Sequence, residues 1–158
     1  SLGNATGYAG AISVSDGTLT ASGTGTLGSG GITLASGTTL SASGGTKTLG
    51  NNIVLGGNAT LSTGSPTTGT VTTTFSGVIS GTFGMTVSAN ASNSILLSGA
   101  NTYTGATTVS TGTLVAAHAT ALGTTGGATT VTSRPPSASC SRIAFGTSDT
   151  APWIRIAS

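Results

Sequence analysis

The sequence predicts an all-β protein, a right-handed parallel β-helix or β-solenoid with coils of about 21 residues. Three observations predict it. Leu19, Leu40 and Leu61 recur at one constant spacing, equal to that coil length. Val14, Leu34 and Leu55 form a second series at nearly the same spacing, and each has an isoleucine two positions upstream, at Ile12, Ile32 and Ile53. Only 4% of the residues are charged, against roughly 25% in ordinary globular proteins. Helical repeats do not fit, because the Glu, Lys and Arg that form long helices are missing while Gly and β-branched residues dominate.

Apolar residues alternate with small polar ones, which is the strand period of two. Each unit therefore reads as a strand, a tight turn, a second strand and a looser Gly-rich connection. The first unit runs from Ile12 through the Ser-Asp-Gly turn to Leu19. The second runs from Ile32 to Leu40, and the third from Ile53 to Leu61. The step from Val14 to Leu19 equals that from Val109 to Leu114; from Leu34 to Leu40 and from Leu55 to Leu61 it is one position longer. The shorter step is odd, so it needs a bend that resets the inward face, and Gly17 or Gly112 supplies it by adopting positive φ. The longer steps carry one extra loop residue. A single coil buries too little to offset its ordering entropy, so the coils must stack. Six or seven coils are expected. Val14, Leu19, Leu34, Leu40, Leu55, Leu61, Val109 and Leu114 are the predicted inward residues.

One string is written twice. "YAGAISVSDGTL" spans Tyr8 to Leu19, and "YTGATTVSTGTL" spans Tyr103 to Leu114. The echo predicts that Tyr8 and Tyr103 each begin a coil of one kind. After Val131 the vocabulary changes: residues 132–158 hold every Arg, most of the Pro and the lone Cys and Trp. The chain thus divides into a repeat region, 1–131, and an atypical tail, 132–158. The tail reads either as a cap that blunts an open sheet edge or as sequence foreign to the repeat, such as a shifted reading frame would produce.

The segment from Phe75 to Val131 resembles the autotransporter-associated β-strand repeat of type V secreted proteins. The residues that carry the resemblance are Leu97-Ser98-Gly99-Ala100-Asn101-Thr102-Tyr103-Thr104-Gly105, then Thr108-Val109, Gly112-Thr113-Leu114 and Ala121-Leu122-Gly123. Gly7 to Gly28 echoes it more loosely. The resemblance implies a right-handed β-helix, a passenger stalk displayed outside a Gram-negative cell, and a role in secretion and folding rather than catalysis. In that family the chain crosses the outer membrane through a barrel; no long series of amphipathic strands with aromatic girdles is read in this sequence.

Charge narrows the partners. Lys47 is the only basic residue ahead of Val131, while Arg134, Arg142 and Arg155 fall in the tail. That makes no basic face for phosphates, so no nucleic-acid partner is expected. No apolar run reaches the roughly 18 residues that a membrane-spanning helix needs. The opening "SLGNATG" lacks the basic start and apolar stretch of a signal peptide; an exported chain would be a segment or a processed product. The lone Cys140 cannot form an internal disulfide.

Catalysis is not expected. Asp16 and Asp149 are the only carboxylate side chains, and glycoside chemistry needs a pair at a set separation. Asp16 suits its turn instead. His118 is the only histidine, without a nucleophile elbow, and one His with one Cys cannot make a tetrahedral metal site. No cofactor is expected either. "GSGG" at 28–31 lacks the Lys-Ser/Thr and helix of a phosphate loop. Tyr8 and Tyr103 could stack on sugars, or cover a corner of a coil with the hydroxyl at the rim.

"TVTTTF" at 70–75 and "GATTV" at 105–109 point threonines outward. Ranks of Thr in register on coil after coil are one way for a β-solenoid to bind ice. The pairs Ser13 and Ser15, Thr33 and Ala35, and Val54 and Gly56 break such ranks. "NNIVLGGNATL" has high β-propensity and no charge, so self-association through the ends of the solenoid is expected at an uncapped edge. The function expected is a rigid stalk of a surface-exposed passenger, extracellular, in contact with glycans or cells. The alternative is a carbohydrate-binding adhesin or ice-binding module.

Overall fold

In the computed structural model the described residues are 7–23, 26–64, 69–90 and 92–132, with the backbone of Arg142–Phe145 and Trp153–Ile154. They form a parallel β-solenoid of about five turns, about 22 residues per turn. No helix is present among the described residues.

Three faces run along the stack. The first face holds β1 (Ile12–Val14), β3 (Ile32–Leu34), β6 (Ile53–Leu55) and β9 (Ile79–Gly81), in that order. The second holds β2 (Thr18–Ala21), β4 (Thr39–Ala42), β7 (Ala59–Thr63), β10 (Met85–Ser88), β12 (Thr107–Thr111) and β14 (Thr129–Val131). The third holds β5 (Lys47–Leu49), β8 (Thr72–Phe75), β11 (Ser94–Leu97), β13 (Thr113–Ala116), β15 (Arg142–Phe145) and β16 (Trp153–Ile154). Every pairing is parallel except β15 with β16.

The core is a set of columns. On the first face Ile12, Ile32, Ile53 and Ile79 are in register, as are Val14, Leu34, Leu55 and Gly81. On the second face the column is Leu19, Leu40, Leu61, Val87, Val109 and Val131. On the third face Lys47, Thr73, Ile95 and Leu114 align beside Leu49, Phe75, Leu97 and Ala116. Outward residues alternate with these, as the pleat requires. Each column buries its side chains against the coils on either side, which is how coils that cannot fold alone hold together.

Three expectations are corrected. Among the described residues the windings number about five, of about 22 residues each, where six or seven of about 21 were expected of the chain. The step from Ile53 to Ile79 is longer than that from Ile32 to Ile53. Later second-face steps, such as Thr86 to Thr108, also exceed the first ones. The echoed strings do not begin equivalent coils. Tyr8–Leu19 contributes β1 and the start of β2, on the first and second faces. Tyr103–Leu114 contributes β12 and the start of β13, on the second and third. And the tyrosines share no environment: Tyr8 is 48% exposed, while Tyr103 is fully buried. The tail reading falls mostly outside the described residues. Within it, the backbone of β15 continues the third face in register with β13, and β16 returns antiparallel.

Candidate functional site

The outer surfaces of the three faces differ. On the first face the outward column is Ser13, Thr33, Val54 and Ser80. On the third it is Thr48, Thr74, Leu96 and Val115. The second face is uniform. Thr18, Thr39, Thr60, Thr86, Thr108 and Thr130 stand in register on six consecutive strands. Two positions along, a second rank runs Thr20, Ser41, Ser62 and Ser88. It continues with Thr111, because an irregularity after Val87 sets Ser88 opposite Thr111 rather than Ser110. No charged residue occurs in these six strands.

The hydroxyls in and beside the second rank are partly tied down. Ser62 Oγ donates to the Ser88 carbonyl at 3.0 Å, and Ser110 Oγ to the Val87 carbonyl at 3.1 Å. Ser88 Oγ and Thr111 Oγ1 lie 3.2 Å apart, and Thr132 Oγ1 donates to the Val109 carbonyl at 3.4 Å. Among the described residues the first-rank threonine hydroxyls bond no other protein group.

The interior polar groups are structural. Lys47 is buried, and its Nζ donates to the carbonyls of Ala21, Gly23 and Ser43 at 2.9, 2.7 and 2.6 Å. All three ammonium donors are thereby used. Burial holds its pKa below the usual lysine range. Asn51, Asn93 and Asn101 are buried at corners. Asn51 Nδ2 donates to the Gly28 and Gly30 carbonyls, so the "GSGG" corner is bound by the next coil. Asn93 Oδ1 accepts from the Val71 amide, and its Nδ2 donates to Thr63 Oγ1. Asn101 Oδ1 accepts from the Ile79 amide at 2.8 Å, and its Nδ2 donates to the Ala121 carbonyl at 2.7 Å. Buried carbonyls and amides at the corners would otherwise go unpaired at a cost. Thr73 Oγ1 is the exception: it is buried without a partner among the described residues.

The repeat-motif residues cluster around one corner. Thr102 and Thr104 donate their amides to the Ile79 and Gly81 carbonyls, and both side chains are exposed. Between them Tyr103 turns inward, and its hydroxyl lies 2.6 Å from Thr107 Oγ1. Burial pushes the phenol pKa up, and the Thr107 hydrogen bond draws it partly back. Gly105 packs beneath Gly127. Val109 and Leu114 are buried, Gly112 makes the bend between β12 and β13, and Thr113 points outward, half-buried. Of the predicted inward set, Val14, Leu34, Leu40, Leu55 and Leu61 are buried and Leu19 is partly so.

The candidate catalytic residues are not brought together. Asp16 Oδ1 accepts from the Gly17 amide at 2.8 Å in the exposed β1–β2 turn. His118 follows β13, near the other end of the stack, with its Nδ1 3.1 Å from Thr120 Oγ1. Asp149 and Cys140 lie outside the described residues. No group of three or more metal-ligating side chains occurs among the described residues.

Sequence reasoning missed the threonine ranks, the lysine cage and two of the three corner asparagines. Asn51 and Asn93 do carry a signal, since each stands one or two positions ahead of a strand, as Asn101 stands two ahead of Tyr103. No family model, curated protein or solved structure matches this chain.

Proposed function

We propose that the chain is a rigid rod segment of a surface-exposed passenger, which supports secretion and displays neighbouring segments outside a Gram-negative cell. The observation that supports it best is the unbroken register of the second-face column from Leu19 to Val131, a stack that each winding extends by one strand spacing. The repeat-like string Asn101–Gly105 adds to it, because these residues stitch one winding to the windings on either side. A rod of this kind needs no active site; its work is mechanical. Its exposed sides remain free to touch glycans or cells.

The test is display. The chain is fused ahead of a translocating barrel in a Gram-negative host. It is expected at the cell surface, folded and resistant to added protease. Leu40→Asp places a carboxylate in a dry column and is expected to cost several kcal/mol, leaving the fusion stalled in the periplasm. A folded wild-type chain that never reaches the surface would overturn the reading.

A further inference from the structure

We infer that the outer surface of the second face is an ice-binding site, formed by the threonine rank Thr18, Thr39, Thr60, Thr86, Thr108 and Thr130 and the hydroxyl rank beside it. This inference stands apart from the stalk reading: a rod can carry the face whether or not it is secreted.

Geometry comes first. Neighbouring parallel strands hold the threonines about 4.8 Å apart along the axis, and the two ranks stand about 6.6 Å apart along β2, β4, β7 and β10. The result is a two-dimensional grid of hydroxyls, six rows deep in its first rank. The axial spacing is close to one repeat of oxygen atoms on the prism face of hexagonal ice, and the spacing along the strand is somewhat shorter than the other. A dissolved glycan or peptide has no such repeat in two directions, and the other two faces do not offer one. Val54 interrupts the first face, and Leu96 and Val115 interrupt the third.

Chemistry points the same way. A hydrogen bond to ice gains little over one to liquid water, so binding depends on many contacts made without ordering cost. Threonine meets that demand, because its branched Cβ leaves few rotamers to lose. Its first-rank hydroxyls have no protein partner among the described residues, so they are available to lattice water. In the second rank and beside it, Ser62 and Ser110 spend their protons on backbone carbonyls, which fixes their lone pairs as acceptors for water. The six strands carry no charge to impose a competing hydration shell.

The experiment is ice partition of the purified full chain, with crystal shaping and freezing hysteresis read on the same sample. The chain is expected to enter a slowly growing ice front and to facet single crystals. Thr60→Tyr and Thr86→Lys, at the middle of the rank, are expected to lose most of the hysteresis while keeping the wild-type circular dichroism spectrum. Thr33→Tyr, on the outer first face, is expected to retain it. Exclusion of the folded wild-type chain from ice overturns the inference. So does equal loss from Thr33→Tyr, or retention on crystalline chitin or cellulose in place of ice.

Discussion

Tyr8–Leu19 and Tyr103–Leu114 spell nearly one string and occupy different faces of the rod. Both fold as strand, glycine bend and strand, and the bends match closely: Gly17 has φ of 75° and Gly112 of 74°. Yet Val14 lies in the first-face column and Val109 in the second; Leu19 lies in the second and Leu114 in the third. The local string dictates the bend. The windings above and below decide which face it turns onto. Near Tyr103 the first-face position is filled by the segment 102–104, which bonds Ile79 and Gly81 without being a regular strand. That frees the strand that follows to take the second face. Tyr103 then fills the interior, where Tyr8 only touches the Ala11 carbonyl through its hydroxyl.

The comparison is broken most sharply at the paired leucines. Leu114→Asp buries a carboxylate in a closed column and is expected to cost about 5 kcal/mol. Leu19→Asp, at a partly buried position, is expected to cost less than half of that in the same urea titration. Equal losses would mean that the two strings are equivalent after all.

The tyrosines come next. Tyr103→Ala leaves a cavity and an unpartnered Thr107 hydroxyl, at a cost of about 4 kcal/mol. Tyr8→Ala is expected to change stability by about 0.5 kcal/mol at most, read from the melting midpoint. The bends separate by less. A Cβ at Gly112 would fall 2.5 Å from the Ala89 Cβ and 2.8 Å from its carbonyl oxygen, whereas at Gly17 it meets nothing within 4 Å. Gly17→Ala therefore carries only the strain of positive φ, about 1 kcal/mol, and Gly112→Ala is expected to cost about twice as much or more. Chemical denaturation of the two variants checks this.

The smallest effect is a pH dependence. The Tyr103 phenol titrates above the ordinary tyrosine pKa because burial disfavours its anion. The stability this represents is complete below pH about 10 and is lost as pH rises through the raised pKa. Tyr103→Phe is expected to abolish that alkaline loss. An unchanged alkaline profile in the Phe variant would place the titrating group elsewhere.

The columns were legible because Leu19, Leu40 and Leu61 keep one spacing over two windings, long enough for period alone to reveal them. The threonine rank keeps the same spacing from Thr18 to Thr60, then takes a much longer step to Thr86 and settles at one in between. That long step hides its second half from any search at a fixed period. The outward residues beside Ile12, Ile32 and Ile53 belong to the first face, where the ranks do break. Lys47 was visible as a lone cation, but its carbonyl partners include Ala21 and Gly23 on an earlier winding. No local pattern encodes such contacts. The shift of the echoed string by one face is beyond local reading for the same reason: only the stack defines a face.

The long winding has a practical meaning. The chain takes more residues to pass from Leu61 to Val87 than from Leu40 to Leu61, and β7 keeps register with both β4 and β10. Extra length between β7 and β8 therefore leaves the stack in step. A foreign epitope or small domain spliced between the exposed Gly69 and Thr70, ahead of β8, would hang from the shaft like a branch from a trunk, while the storeys above it are laid down as before.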